Sequence, residues 1–217
     1  MIDFEAARTA MVDRQVRTAD VTSLPVIAAM LAVPRERFVP RASRDVAYAE
    51  APIALGGGRM LMEPRTFAKL LDAASIGPDD LVLDVGSATG YSAAVLARIA
   101  AAVVALEEDE ALAAAAVATL ADLAADNVVH ERGPLAGGAP EAGPYDVILL
   151  EGAAARPPET LLSQLKDGGR LVGVMADGPV GQARVFTRVG DGWSSRRAFD
   201  ASAAVLPGFD AAPQFEF

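Results

Sequence analysis

Cysteine is absent from this chain, which removes disulfides, thiolate nucleophiles and cysteine-ligated zinc from consideration. A single histidine, His130, leaves no ordinary multi-histidine metal site, so no metal is expected. Positive charge is short as well: 19 Lys and Arg stand against 29 Asp and Glu, for a net charge of -10. That balance repels phosphate backbones, and a nucleic-acid partner is not expected. Long apolar runs are missing. The most apolar stretch, Ala111 to Ala125, is broken by Asp122 and is too short to span a bilayer, so no membrane partner is expected. Met1-Ile2-Asp3-Phe4-Glu5 has neither the basic nor the apolar region of a signal peptide, and a cytoplasmic location follows as the expectation.

What is present suffices for one well-buried core: 217 residues, 52% of them hydrophobic, without an internal repeat or a long linker. The first 75 residues read as helices punctuated by turns. Phe4, Ala7, Met11 and Val12 recur at helical spacing, as do Leu24, Ile27, Ala28 and Leu31 after the candidate cap Thr22. Pro34 and Pro40 bracket a short Arg-Glu-Arg-Phe segment. A loop at Gly56-Gly57-Gly58 precedes Glu63-Pro64, where proline suits a first helical turn, followed by Phe67, Leu70, Leu71 and Ala74.

From residue 81 strands and helices alternate. Leu81 to Leu83, Val103 to Leu106, Val128-Val129, Val147 to Leu150 and Leu171 to Val174 read as strands. Tyr91 to Ile99, the Ala-rich run after Glu110, and Pro158 to Leu165 read as helices, the last ended by Gly168-Gly169. Short apolar strands without in/out alternation imply a parallel sheet covered on both faces, a doubly wound Rossmann-like α/β fold. Ala183 to Val189 and Trp193 to Ala198, joined through Gly190-Asp191-Gly192, predict a hairpin at the sheet edge. Trp193 reads as a packing residue and Arg196-Arg197 as a solvated pair.

The chemistry concentrates at Val82-Leu83-Asp84-Val85-Gly86-Ser87-Ala88-Thr89-Gly90-Tyr91, a strand turning through glycines into a helix. Ligands of open α/β sheets sit at such carboxyl ends of strands. Gly86 can take the positive φ of a tight turn, and Gly90 can let the helix pack close to the sheet. Ala88 breaks the G-x-G-x-x-G pattern. Glu107 ends the next strand 21 residues after Gly86, where a carboxylate can accept hydrogen bonds from both ribose hydroxyls. Asp84 at the first strand tip disfavours a pyrophosphate and suits the ammonium and sulfonium of S-adenosylmethionine, whose own carboxylate could take the helix N-terminus. The competing readings are a nicotinamide site and an empty doubly wound fold.

Five further stretches, together with the cofactor loop, carry a family resemblance. Met11 to Arg17, Val33 to Pro40 and Ala47 to Ile53 precede the cofactor loop, which ends Tyr91-Ser92-Ala93-Ala94-Val95-Leu96-Ala97; Gly143 to Asp146 and Gln164 to Val172 follow. In this order, from about residue 9 to about residue 209, they resemble the protein-L-isoaspartate O-methyltransferases. The resemblance implies one methyltransferase domain over 1–217, with a helical and acceptor-loop region at 1–75, a cofactor-binding core at 76–175 and C-terminal strands at 176–217. It implies S-adenosylmethionine as cofactor and methyl transfer, in protein repair, to the carboxylate of an isoaspartyl residue in a protein or peptide. The ester then collapses to a succinimide that can reopen as aspartate. Asp84, Gly86, Ser87, Ala88, Gly90 and Tyr91 are the implied cofactor residues of the loop. Glu107, Glu108, Gly133 and Pro134 are those of the following strands.

The chain departs from the family at the acceptor side. Thr-Ile-Ser before a proline reads Met60-Leu61-Met62, so the serine linked to catalysis is Met62, without a hydroxyl. Met60 and Met62 read equally well as apolar filler and as lining for an apolar substrate. Gly-Asp-Gly after the third core strand reads Gly133-Pro134-Leu135, and a threonine at the end of the fourth reads Glu151. Glu63 and Glu151 bring negative charge toward an anionic acceptor. Arg65, just past Pro64, is expected to offset it by gripping the acceptor carboxylate. Two alternatives follow from the departures: methylation of another peptide or small molecule, and a non-catalytic S-adenosylmethionine-binding module.

Overall fold

The structure, a computed structural model, describes residues 2–211. Helix α1 (Phe4–Met11) is capped by the Asp3 side chain, which accepts from the Ala6 N–H at 3.0 Å, and runs on through a π-turn at Val12–Val16. Helix α2 (Leu24–Ala32) is capped by Ser23 rather than Thr22. Its buried residues are Val26, Ile27, Ala29 and Met30, whereas Leu24 is 72% exposed and Ala28 is also exposed. The expected stripe was offset because the later cap leaves Leu24 at the helix's solvent-facing first position.

A small antiparallel hairpin, β1 (Ile53–Gly56) and β2 (Arg59–Leu61), replaces the expected loop. Gly57 and Gly58 form its two-residue turn, with φ of 56° and 76°, a backbone that glycine adopts without steric cost. Helix α3 (Pro64–Ala74) buries Phe67, Leu70, Leu71 and Ala74, as its spacing predicts.

Then follow β3 (Leu81–Val85), α4 (Tyr91–Leu96), β4 (Ala102–Glu107), α5 (Glu110–Asp122), β5 (Val128–Arg132), β6 (Tyr145–Ala154), α6 (Glu159–Leu162), β7 (Leu165–Met175), β8 (Gln182–Val189) and β9 (Gly192–Asp200). One seven-stranded sheet runs β5-β4-β3-β6-β7-β8-β9; the first five are parallel, and β8 and β9 add the expected antiparallel edge hairpin. Val82 packs into the core on one face, and Leu83 and Val85 into the core on the other. That two-sided burial is why the strands carry no polar alternation.

The last helix is shorter than its sequence suggests, and Gly168-Gly169 lie inside β7 instead of ending it. Tyr145 pairs with Leu165 and Val147 with Arg170, so the intervening residues bulge out of the ladder. A Cβ on Gly169 would stand 2.8 Å from the Tyr145 carbonyl oxygen, which explains glycine there better than a helix stop does. Among the described residues no helix is long and apolar enough to cross a membrane.

Candidate active site

The loop from β3 to α4 takes its shape from three left-handed residues: Gly86 (φ 81°), Ala88 (φ 48°) and Gly90 (φ 90°). Alanine in that region costs about 1–2 kcal/mol. The Ala88 N–H offsets part of this by donating to Glu107 Oε2 at 2.8 Å. The buried Ser87 and its neighbour Gly86 both donate their N–H groups to the Leu106 carbonyl, at 3.2 and 2.9 Å, and so tie the loop to β4. Gly90 packs against a helix, not the sheet: a Cβ there would lie 3.0 Å from Ala116 Cβ and Leu120 Cδ1 on α5.

Sheet order makes β4, β3 and β6 neighbours, so Glu107, Asp84 and Glu151 gather at one edge, all buried. Asp84 Oδ2 accepts from Ser92 Oγ at 2.6 Å, and Oδ1 has no partner among the described residues. Burial pushes the Asp84 carboxyl up to about 7; the Ser92 hydrogen bond opposes this, the Glu107 charge adds to it and Arg59 opposes it. Burial and then the Asp84 charge push the Glu151 carboxyl well above the usual range, against Arg35 and Arg59. Both shifts favour the neutral form of Glu151, which reduces the repulsion expected of it at the acceptor site.

Glu107 is saturated. Its Oε1 accepts from Arg59 Nη1 at 2.7 Å and from the Glu108 and Asp109 N–H groups at 3.0 Å each. Its Oε2 accepts from Arg59 Nη1 at 2.9 Å besides the Ala88 N–H. Beyond it, Glu108 Oε2 accepts from the Leu135 N–H at 3.4 Å, which brings the Gly133-Pro134-Leu135 turn beside β4. Gly133 is half-buried and Pro134 exposed there.

Next to these strand ends lies a cavity of about 690 Å³. The hairpin supplies Arg59, Met60 and nearby Met62; the start of α3 supplies Glu63, Arg65 and Lys69; Glu151 and the segment from Phe199 to Leu206 close it. Arg65 is exposed, and Lys69 Nζ sits 4.7 Å from the Phe199 ring centroid. Glu63 is engaged locally, its Oε1 accepting from Thr66 Oγ1 at 2.5 Å.

Of the implied cofactor residues, the structure brings Asp84, Gly86, Ser87, Ala88, Glu107 and Glu108 to one edge. Tyr91 points elsewhere: it is buried between Phe38 and Phe67, ring centroids 5.6 and 5.4 Å away, beneath the Arg35 guanidinium at 4.8 Å. It packs the core because α4 opens toward the helical layer, not toward the loop. Sequence reasoning missed Arg59, Lys69 and Arg35. Arg35 is fully buried and donates to the Ala47 and Met62 carbonyls at 2.8 and 2.6 Å, locking the hairpin's exit to the N-terminal region. The one signal for Arg59 was a charged residue inside the otherwise apolar, glycine-opened stretch Gly58 to Met62.

The donor set fits S-adenosylmethionine in charge. The unpartnered Asp84 oxygen suits an ammonium, the Glu107 carboxylate suits a ribose, and the φ of Gly86 opens the turn between them. The exception is Arg59, which occupies both oxygens of the Glu107 carboxylate.

The family model described as protein-L-isoaspartate(D-aspartate) O-methyltransferase matches residues 6–201. Protein-L-isoaspartate O-methyltransferases similar to this chain include that of Pelotomaculum thermopropionicum, 38% identical over 185 residues, covering 85% of this chain and 81% of the relative. That of Methylorubrum extorquens is 41% identical over 196 residues, covering 89% and 85%. That of Roseiflexus castenholzii is 37% identical over 212 residues, covering 95% and 94%. A Plasmodium falciparum structure solved with S-adenosyl-L-homocysteine superposes with a TM-score of 0.79 at 19% identity, covering 95% of this chain and 99% of that one, a likeness of fold.

Proposed function

Because this chain belongs to the protein-L-isoaspartate(D-aspartate) O-methyltransferase family and is an S-adenosylmethionine-dependent methyltransferase, we propose that its acceptor is the carboxylate of an isoaspartyl residue in a protein or peptide. The observation that carries this reading is the cavity bearing Arg65 and Lys69 beside the cofactor loop, with Glu151 and Arg59 on their common wall. Arg65 and Lys69 bring two cations to this cavity, where the carboxylates of Glu63 and Asp200 are already engaged by Thr66 and Arg197, in a chain whose net charge is strongly negative.

The cofactor, when bound, supplies a methyl group on a cationic sulfur that the acceptor carboxylate displaces in line. Neither partner needs a proton moved, so the chain's task is positioning and exclusion of water. Asp84 is assigned to the cofactor's ammonium, Glu107 to its ribose and Glu108 to the adenine side. Arg65 is assigned to the acceptor carboxylate, in place of the hydroxyl that Met62 lacks. Met60 and Met62 wall the cavity with apolar surface and keep water from the reacting atoms.

The test is transfer of labelled methyl from S-adenosylmethionine to an isoaspartyl peptide, with the aspartyl isomer as control. Label on the isoaspartyl peptide only, with KM raised about tenfold or more in Arg65→Ala, is the expected result. Label on neither peptide would remove the acceptor reading. An Arg65→Ala variant with the parent's KM would remove the role of Arg65.

A further inference from the structure

Arg59 is 6% exposed at its side chain and makes three hydrogen bonds of 2.9 Å or less: two from Nη1 to the Glu107 oxygens and one from Nη2 to the Gly86 carbonyl at 2.7 Å. The Nη2 atom also stands 2.7 Å from where a Cβ on Gly86 would lie, so the guanidinium is pressed directly on the cofactor loop. With Arg59 in place, Glu107 accepts five hydrogen bonds. A carboxylate offers about four lone-pair directions, and none remains for a ribose hydroxyl.

Arg59 belongs to β2, in the hairpin that also carries Met60 into the acceptor cavity, and it lines that cavity itself. A guanidinium that gives up Glu107 cannot stay buried and unpaired, because a desolvated lone charge is costly. It must find another anion within its reach. The cavity it borders is the one to which the acceptor carboxylate has been assigned.

We propose that Arg59 is one cation with two alternative carboxylate partners: Glu107 until the cofactor's ribose claims that carboxylate, and the acceptor's carboxylate afterwards. Cofactor binding then releases the residue that completes the acceptor site, and the two ligands bind in order. Arg59 is on this account a substrate-positioning residue, placed three positions before the methionine that stands where the family has its serine. The inference rests on the cofactor and acceptor readings above.

Calorimetry on the whole chain tests it, with S-adenosyl-L-homocysteine and an isoaspartyl peptide as probes. In Arg59→Ala the homocysteine ligand should bind about tenfold or more tighter than in the parent, since no internal competitor must be displaced. The parent should bind peptide more tightly with that ligand present than without it, and Arg59→Ala should lose this coupling. Arg59→Lys, which keeps the charge but cannot span both Glu107 and the Gly86 carbonyl, should fall between the two and serves if the alanine variant does not fold. Equal or weaker ligand binding in the variants, beside measurable binding in the parent, overturns the role of Arg59 and leaves the cofactor reading standing. No ligand binding in parent or variants overturns the cofactor reading, and this inference with it. Unchanged coupling in Arg59→Ala overturns the switch to the acceptor.

Discussion

Asp84 holds a tension between stability and binding. Its folded carboxyl is raised to about 7, chiefly by burial, while an unfolded chain would ionise it near the ordinary value. Between those two values the folded state keeps a proton that the unfolded state releases, so the stability contributed at low pH is lost as pH rises through 7. Asn cannot ionise, and its amide can still meet Ser92. Asp84→Asn is therefore expected to exceed the parent's stability at pH 8 by on the order of a few kcal/mol, and by much less at pH 5. Urea melts at the two values check it; a gain independent of pH would count against this account of Asp84. The same change should weaken binding of S-adenosyl-L-homocysteine, because the ammonium loses its counter-charge. At this scale the sequence singled out Asp84 and Glu107 as candidates, since a carboxylate within or at the end of an apolar strand is conspicuous. It did not disclose that Glu107 is already matched, because its partner Arg59 lies 48 residues away with no periodicity joining them.

Elements were legible where one period ruled a long enough segment. The stripe Phe67, Leu70, Leu71, Ala74 and the apolar runs of β3 and β4 say helix and buried strand plainly. The β1–β2 hairpin was not legible, because strands of four and three residues leave no period to read. Gly168-Gly169 misled, since a helix stop and a strand bulge call for the same residue. Gly90 is a fuller case: its role was expected, but its partner is α5. Alanine there would meet both the unfavourable φ of 90° and contacts of 3.0 Å with Ala116 and Leu120. Left-handed strain and overpacking together predict that Gly90→Ala loses about 2–4 kcal/mol. Chemical denaturation measures this directly, and a midpoint equal to the parent's would mean that α4 and α5 are not pressed together at Gly90.

For the molecule as a whole, three carboxylates from adjacent strands meet at one sheet edge of a chain that already carries a net charge of -10. The fold tolerates them by pairing Glu107 with Arg59 and by keeping protons on the other two for part of the pH range. The groups facing Asp84 are Ser92, Glu107, Arg59 and Glu151, and only Arg59 among them is cationic. A ligand ammonium arriving beside Asp84 favours the ionised carboxylate, so below pH 7 binding must expel a proton. Affinity for S-adenosyl-L-homocysteine should therefore rise between about pH 5.5 and 7.5, by up to roughly tenfold per pH unit where Asp84 is still protonated. Thermal stability of the ligand-free chain should fall over the same interval and level off above it, because the folded Asp84 carboxyl holds a proton that the unfolded chain has already released. Titration calorimetry in two buffers of different ionisation enthalpy counts the released protons, approaching one per ligand near pH 6. A count near zero with a flat affinity profile would place the ammonium away from Asp84.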